Sequence, residues 1–202
     1  MTIKKNQKRK GGLSKRVLRS YQNRLMEGDL IEKLSREELD GVASDLTNPD
    51  DLYQRVRILA KSFNPRYIPV FEKLATYADD TLVAGEALRA LIDFHGRLEY
   101  LPLLEKYIEG VNWDDGDLKL RSIQIAGTYL KEHKDQNLIA LIIKQFEESA
   151  DLIIREVAHE ALMSAADIDR SDVSTTIAAR GMTDADLRLD IIERLKKSRL
   201  PN

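Results

Sequence analysis

Cysteine is absent from the 202-residue chain. Its absence excludes a disulfide framework, a thiolate metal site and a cysteine nucleophile. Long apolar runs are also missing, since no segment approaches the about 18 residues of a membrane-spanning helix. The basic amino terminus is not followed by an apolar segment, which argues against a secretory signal. We therefore expect a cytoplasmic protein with no membrane partner.

Helix-breaking residues are scarce, with five prolines and ten glycines, most of them at the joints between periodic segments. A composition of 43% apolar and 33% charged residues is ordinary for a globular protein rich in surface helix. Every long periodic segment follows the 3.6-residue period of a helix, and none alternates strictly as a strand does. The sequence therefore predicts an all-α protein without a sheet.

An internal repeat organises most of the chain. Residues 80–91 (DTLVAGEALRAL) match residues 151–162 (DLIIREVAHEAL) at Ala87, Ala90 and Leu91 against Ala158, Ala161 and Leu162. The two segments lie 71 residues apart with another pair of helical patterns between them. The period is therefore about 35 residues, the length of one helix-turn-helix unit of a stacked solenoid.

The spacing predicts four helix pairs, whose members we call first and second helices. They are 49–63 with 66–77, 80–95 with 98–109, 115–132 with 136–148, and 151–165 with 172–180. A capping box at Ser35 and Glu38 opens a short helix through Ala43, and a last helix runs from Thr183 to about Lys197. We expect a disordered tail at 1–12, a helical cap at 13–46 that contains a helix at 13–26, and a repeat domain at 48–202.

The units have an acidic cap, small residues on the packing ridge, a short break, and then a second helix with Ile68-Pro69 or Leu101-Pro102 near its start. This pattern, over residues 48–197, resembles HEAT-type repeats, and armadillo units share most of its positions. The third unit departs from it, with Ile123, Ala126 and Gly127 on its ridge. The resemblance implies a right-handed α-solenoid of about four helix pairs with an N-terminal helical cap and a basic tail.

Charge is distributed unevenly along the chain, although the formal net charge is only −2. Residues 1–24 hold nine cations and no acid, so the other 178 residues carry 23 cations and 34 acids. The arm's candidate phosphate-binding residues are Lys4, Lys5, Lys8, Arg9, Lys10, Lys15, Arg16 and Arg19. The arm could bind nucleic acid or a ribonucleoprotein, contact an acidic protein or a membrane surface, or serve as a solubilising terminus.

Catalytic patterns are sparse. His95, His133 and His159 occur singly, and we interpret His95 and His133 as structural residues near helix ends, where the dipole favours positive charge. No histidine pair has zinc spacing, and no Gly-rich phosphate loop or serine nucleophile motif appears. We therefore expect a non-enzymatic protein with no cofactor and no metal.

The loop around Trp113 carries the only tryptophan, with three acids in the next four residues. Its spacing does not fit a calcium loop, and we interpret it as an inter-repeat loop that caps the next helix. Trp113 and Asp117 also have the one-turn spacing used by HEAT-like alkylpurine DNA glycosylases. A glycosylase is a remote alternative, because the body is acidic and lacks a second tryptophan.

In a HEAT-type stack the second helices line the concave face, so their outward residues are the predicted protein-binding surface. These residues are Glu72, Lys73, Tyr100, Glu105, Lys106, Glu109, Trp113, Asp114 and Asp115. We expect Leu101, Leu104 and Ile108 to face the core; Tyr100 and Tyr107 either serve as exposed anchors or cover the seam between repeats. The predicted function is a non-catalytic scaffold, a regulatory adaptor or an inhibitor of a basic partner. The alternative is a nucleic-acid or ribonucleoprotein binder anchored by the arm.

Overall fold

The computed structural model describes residues 34–110, 116–168 and 188–198, and all regular structure in these ranges is helical. The helices are α1 Arg36–Ala43, α2 Leu52–Lys61, α3 Ile68–Leu74, α4 Thr81–Arg89, α5 Leu101–Glu109, α6 Gly116–Glu132, α7 Gln136–Glu148, α8 Leu152–Ala165 and α9 Leu189–Lys197. The all-α prediction is confirmed at this level. None of the described helices combines the length and apolar character needed to cross a membrane.

Side-chain caps start α1, α4, α7 and α8, and those of α1, α4 and α8 stand where the sequence predicted them. Ser35 and Glu38 form the expected capping box at α1, with the Ser35 amide 2.9 Å from the Glu38 carboxylate. Asp80 accepts from two backbone amides at the start of α4, and Asp151 caps α8. Such caps satisfy amides that have no partner inside the helix.

First helices contact first helices along the chain, because α2 packs on α4, α4 on α6, and α6 on α8. Each first helix from α4 onwards also packs on the second helix of the preceding unit, since α3 contacts α4, α5 contacts α6, and α7 contacts α8. The interior is continuous and almost entirely apolar; its centre includes Val56, Leu59, Leu88, Leu91, Ile123, Ala126 and Leu162. Burying these faces against neighbours is the main source of stability for helices of this length.

Gly127 explains the departure of the third unit from the repeat pattern. A Cβ atom at this position would lie 3.1 Å from both the Cα and the Cβ of Ala161, so the missing side chain lets α6 and α8 approach closely. Gly127 and Ala161 thus act as a pair of small residues across the interface. The glycine in the third unit therefore allows close packing of α6 on α8.

Helix boundaries differ from the predictions mainly at the second helices and at the end of α4. The prolines stand just inside 3₁₀ turns or first helical turns, and α3 ends at Leu74 rather than at 77. The predicted helix 80–95 ends as a π-helical turn, Ala90–Phe94, in which the His95 amide donates to the Ala90 carbonyl. Gly96, with a φ of 61°, ends the turn in the left-handed region.

Arg55 joins the N-terminal helix to the first pair, a contact that the sequence analysis did not predict. Its side chain is 1% exposed, yet it donates to the Asp51 carboxylate at 2.7 Å and to the Val42 carbonyl at 3.1 Å. Tyr67 adds a second link, because its hydroxyl donates to Asp40. A guanidinium group can be buried in this way only when its N–H groups have hydrogen-bond acceptors.

Several predictions concern residues outside the described ranges. These are the tail 1–12, the helix 13–26, the helix 172–180 and the start of the last helix at Thr183. The end of that last helix at Lys197 is confirmed.

Candidate functional site

Equivalent positions on the four first helices line up on one face. Arg57, Arg89, Gln124 and Glu160 follow one another at intervals of 32, 35 and 36 residues, and so do Lys61, Asp93, Thr128 and Ser164. The residues that follow the first set, Ile58, Ala90, Ile125 and Ala161, are all buried, which supports the alignment. The face therefore changes from basic at the first unit to acidic at the last.

A cavity of about 700 Å³ opens on this face between α4, α6 and α8. We call it the first-helix groove. Its polar and charged lining comprises Arg89, Asp93, Arg121, Gln124, Thr128, Lys131, Glu160, Ser164 and Asp167. Small-molecule sites in proteins have volumes of roughly 300–1,000 Å³, so the groove has the size of a ligand site.

Asp93 stands in the wall of the groove on the π-helical turn. Its side chain is 6% exposed; Oδ2 lies 3.6 Å from Nε of Arg89, and Oδ1 is buried without a hydrogen-bond partner among the described residues. Burial raises the pKa of Asp93 to about 6, against the lowering effect of Arg89. A π turn is a frequent feature of functional sites, because the extra residue redirects a side chain.

Cations from three helices lie along the basic part of this face. Arg121 lies across Gly85, where a Cβ would meet the Arg121 Cγ at 2.9 Å, and its guanidinium is 3.8 Å from the buried Glu86 carboxylate. Lys61 has a lowered pKa because of burial and because Arg57 and Arg89 stand nearby, while Glu86 opposes the shift. The basic end of the face therefore concentrates positive charge.

The second-helix face carries a cluster of negative charges. Glu105 is half-buried on α5, and its pKa is raised by burial, by Asp135 at the start of α7 and by Glu109 one turn away. No cation lies within ion-pair distance of Glu105, Glu109 or Asp135 among the described residues. We call these three residues the acidic ridge. Asp135 is a member that the sequence analysis did not include.

The other predicted residues of this face lie beside the ridge. Glu72 accepts a hydrogen bond from Arg97 at 3.1 Å, which bridges the first and second pairs. Tyr100 is half-buried next to Glu72, and burial and that carboxylate raise its pKa. Lys73 and Lys106 are exposed. Glu72 and Tyr100 are thus brought together, while Lys73 and Lys106 point to solvent.

Tyr107 covers the seam between repeats, which confirms one of the two interpretations for this residue. It is 3% exposed, and its hydroxyl donates to the Ala75 carbonyl at 2.7 Å. Leu104 and Ile108 face the core as predicted, with Leu101 half-buried beside them. Tyr107 is therefore a packing residue and not an exposed anchor.

The expectation that helix dipoles favour a charged His95 is wrong. Its ring stacks on Phe71 at 5.8 Å, and burial together with Arg97 lowers its pKa. Burial is the larger of these two causes, because it disfavours the charged form of the ring. His133 lies against Tyr129, and the buried His159 lies against Phe146, so all three histidines sit among aromatic rings.

Some predicted site residues lie outside the described ranges. They are Trp113, Asp114, Asp115 and the arm residues Lys4, Lys5, Lys8, Arg9, Lys10, Lys15, Arg16 and Arg19. Asp117, the partner of Trp113 in the glycosylase alternative, is exposed in the first turn of α6. Within the described ranges, no group of three or more histidines and acids is arranged to hold a metal ion.

Sequence reasoning missed the first-helix groove. Its signal was present, because aligning the four first helices by their buried residues places Arg57, Arg89, Gln124 and Glu160 in one row. The predicted repeat used only the second and fourth units, at a separation of 71 residues. Two units cannot reveal a gradient that runs through four.

Comparison with protein-family models, with curated proteins and with solved structures finds no match to this chain. The class that the fold defines is therefore a coarse one: an all-helical protein in which consecutive helices pack on their neighbours.

Proposed function

We propose that this protein is a non-catalytic protein-binding scaffold, built as a HEAT-like α-solenoid, that holds a basic partner on its second-helix face. The observation that carries the proposal is the acidic ridge. The carboxylates of Glu105 and Glu109 on α5 stand beside that of Asp135, which caps α7 by accepting two backbone amides, and no cation among the described residues lies within ion-pair distance of the three. Such an unneutralised patch steers a positively charged protein and repels nucleic acid.

The packing pattern supports the solenoid part of this proposal. First helices contact first helices, and α5 contacts α7 among the second helices. Tyr107 and Arg97 tie the second pair to the first through Ala75 and Glu72. Each unit thus contacts its neighbours in chain order, which is the arrangement expected of a repeat stack.

The test reverses the ridge and leaves the fold intact. Glu105→Lys with Glu109→Lys changes the local charge by four, and Glu37→Lys with Glu132→Lys makes the same change at two exposed acids elsewhere. Wild type and both variants are used to capture proteins from a nuclease-treated lysate, and bound proteins are quantified by mass spectrometry. We expect the ridge variant to lose basic partners that the control variant retains.

Association kinetics of a purified captured partner complete the test. The ridge variant should bind at a rate at least about ten-fold lower at low salt, with a smaller salt dependence. Equal rates for the ridge and control variants would leave the ridge as a solvated face. Capture that depends on residues 1–24 and disappears with nuclease would favour the nucleic-acid alternative instead.

A further inference from the structure

The first-helix groove holds cations and acids at different places along its length. Arg89 and Arg121 line its basic part, with Arg57 and Lys61 beyond them, and Lys131 lies on its wall. Glu160 and Asp167 line the opposite part, on the last unit. A ligand that matches this order has an anionic end and an end that donates hydrogen bonds.

Both groove arginines retain unused donors. The ion pair of Arg89 with Asp93 is 3.6 Å long, and that of Arg121 with Glu86 is 3.8 Å, both longer than a strong charged hydrogen bond. Their side chains are 40% and 23% exposed, so solvent reaches them from the cavity. A guanidinium binds phosphoryl oxygens through two parallel N–H donors, which no other side chain provides.

Asp93 provides an acceptor for the end of the ligand that donates hydrogen bonds. Its Oδ1 is buried, and no described residue donates to it, although the residue lines the cavity. An ionised carboxylate only accepts, so a ligand hydroxyl or amino group that reaches Asp93 from the cavity would have to donate to it. The hydroxyls of Thr128 and Ser164 already donate to carbonyls of their own helices, which leaves their oxygens free to accept as well.

We propose that the first-helix groove binds a small phosphate monoester that carries amino or hydroxyl groups. The phosphoryl group lies against Arg89 and Arg121, and the donor groups point to Asp93 and Glu160. Asp167 is paired with Lys134 at 2.8 Å, but Glu160 would repel a continuing chain of phosphates, so the groove suits a single phosphoryl group better than a nucleic-acid backbone. The site lies on the first-helix face and does not depend on the proposed scaffold function.

Isothermal titration of the full chain with four probes tests the ligand class. The probes are glucosamine phosphate, glucosamine, inorganic phosphate and a single-stranded oligothymidylate. We expect saturable binding of glucosamine phosphate at about 1 mM or tighter, at least about ten-fold stronger than either glucosamine or inorganic phosphate. No saturable binding of glucosamine phosphate, or stronger binding of the oligothymidylate, would overturn the proposal.

Variants test the residues. Arg89→Gln with Asp93→Asn removes the pair without leaving a buried charge alone, and Lys131→Gln is a surface change that leaves the core untouched. We expect the double variant to weaken glucosamine phosphate by at least about ten-fold and Lys131→Gln by about two- to five-fold. Lys73→Gln on the opposite face is the matched control and should change nothing. Unchanged binding in both groove variants, or equal loss in the control, would overturn the assignment.

Discussion

The first-helix face and the second-helix face of this protein carry different chemistry. The first-helix face has a cavity of about 700 Å³ with arginines and a buried carboxyl group. On the second-helix face, Glu105 is not paired with a cation as Asp93 is with Arg89. Its charged neighbours are the carboxylates of Glu109 and Asp135. Because packing constrains only the buried positions of a repeat, the exposed positions of each face are free to acquire separate binding properties.

The close contact of α6 with α8, at Gly127 and Ala161, forms part of the lining of the groove. Gly127→Val would place side-chain atoms into Ala161, where a Cβ alone already lies at 3.1 Å. We expect a loss of about 2–3 kcal/mol in the free energy of unfolding, measured by urea denaturation. The proposed binding of glucosamine phosphate in the groove should fall, while the proposed capture of a basic protein should not change.

Gly116→Val is the matched control, because a Cβ at Gly116 meets nothing within 4 Å. It should leave the free energy of unfolding within about 0.5 kcal/mol of wild type. If Gly127→Val were as stable as this control, the two helices would not be held as closely as described.

Asp93 makes the first-helix face sensitive to pH. Its pKa is raised from 3.8 to about 6 by burial, so the folded state binds the proton more tightly than the unfolded chain. The stability that protonation provides is present below pH 3.8 and is lost as the pH rises through about 6. Relative to wild type, Asp93→Asn should gain about 1–3 kcal/mol between pH 4 and pH 8.

Chemical denaturation across this pH range measures the effect, and NMR titration of the Asp93 side chain measures the pKa directly. A stability difference between Asp93→Asn and wild type that does not vary with pH would contradict the raised pKa.

Tyr107 tests the seam beneath the second-helix face. Tyr107→Phe removes the donor to the Ala75 carbonyl, at 2.7 Å, and leaves that carbonyl buried. We expect a loss of about 1 kcal/mol in the free energy of unfolding. Tyr129→Phe is the control, since the Tyr129 hydroxyl makes no hydrogen bond to another described residue, and it should cost less. Equal costs would show that the seam bond is unimportant.

The smallest expected effect concerns the acidic ridge. Glu105→Gln removes repulsion from Glu109 and Asp135 and should raise the free energy of unfolding by a few tenths of a kcal/mol at neutral pH. Because the Glu105 pKa is raised, the gain should vanish when the pH falls below the ordinary range of glutamate. Thermal melts at two pH values check this, and a persistent gain in acid would point to packing instead of charge.

The helix starts and the core were predictable from local signals. Asp80 and Asp151 each precede a segment with helical apolar spacing. A short polar side chain at that position predicts a helix cap without any information about the tertiary structure. Leu104 and Ile108 were assigned to the core from spacing alone, and the structure confirms both.

The π-helical turn and the buried Arg55 were not predictable in this way. The extra residue at Ala90–Phe94 changes the phase of the helix without any proline or glycine inside it. Arg55 reads as a surface residue, yet Asp51 and the Val42 carbonyl, supplied by the chain before it, satisfy its donors. The burial of Arg55 depends on the Val42 carbonyl, 13 residues earlier in the chain, which local propensity does not encode.

The most direct test of the two-face account measures both ligands on both variants. Binding of glucosamine phosphate and of the captured basic protein is measured for Glu105→Lys with Glu109→Lys, and for Arg89→Gln with Asp93→Asn. The account predicts that the ridge variant loses the protein partner and keeps the phosphate ester, and that the groove variant does the reverse. A variant that loses both ligands, or a pair of variants that lose neither, would contradict separate binding faces.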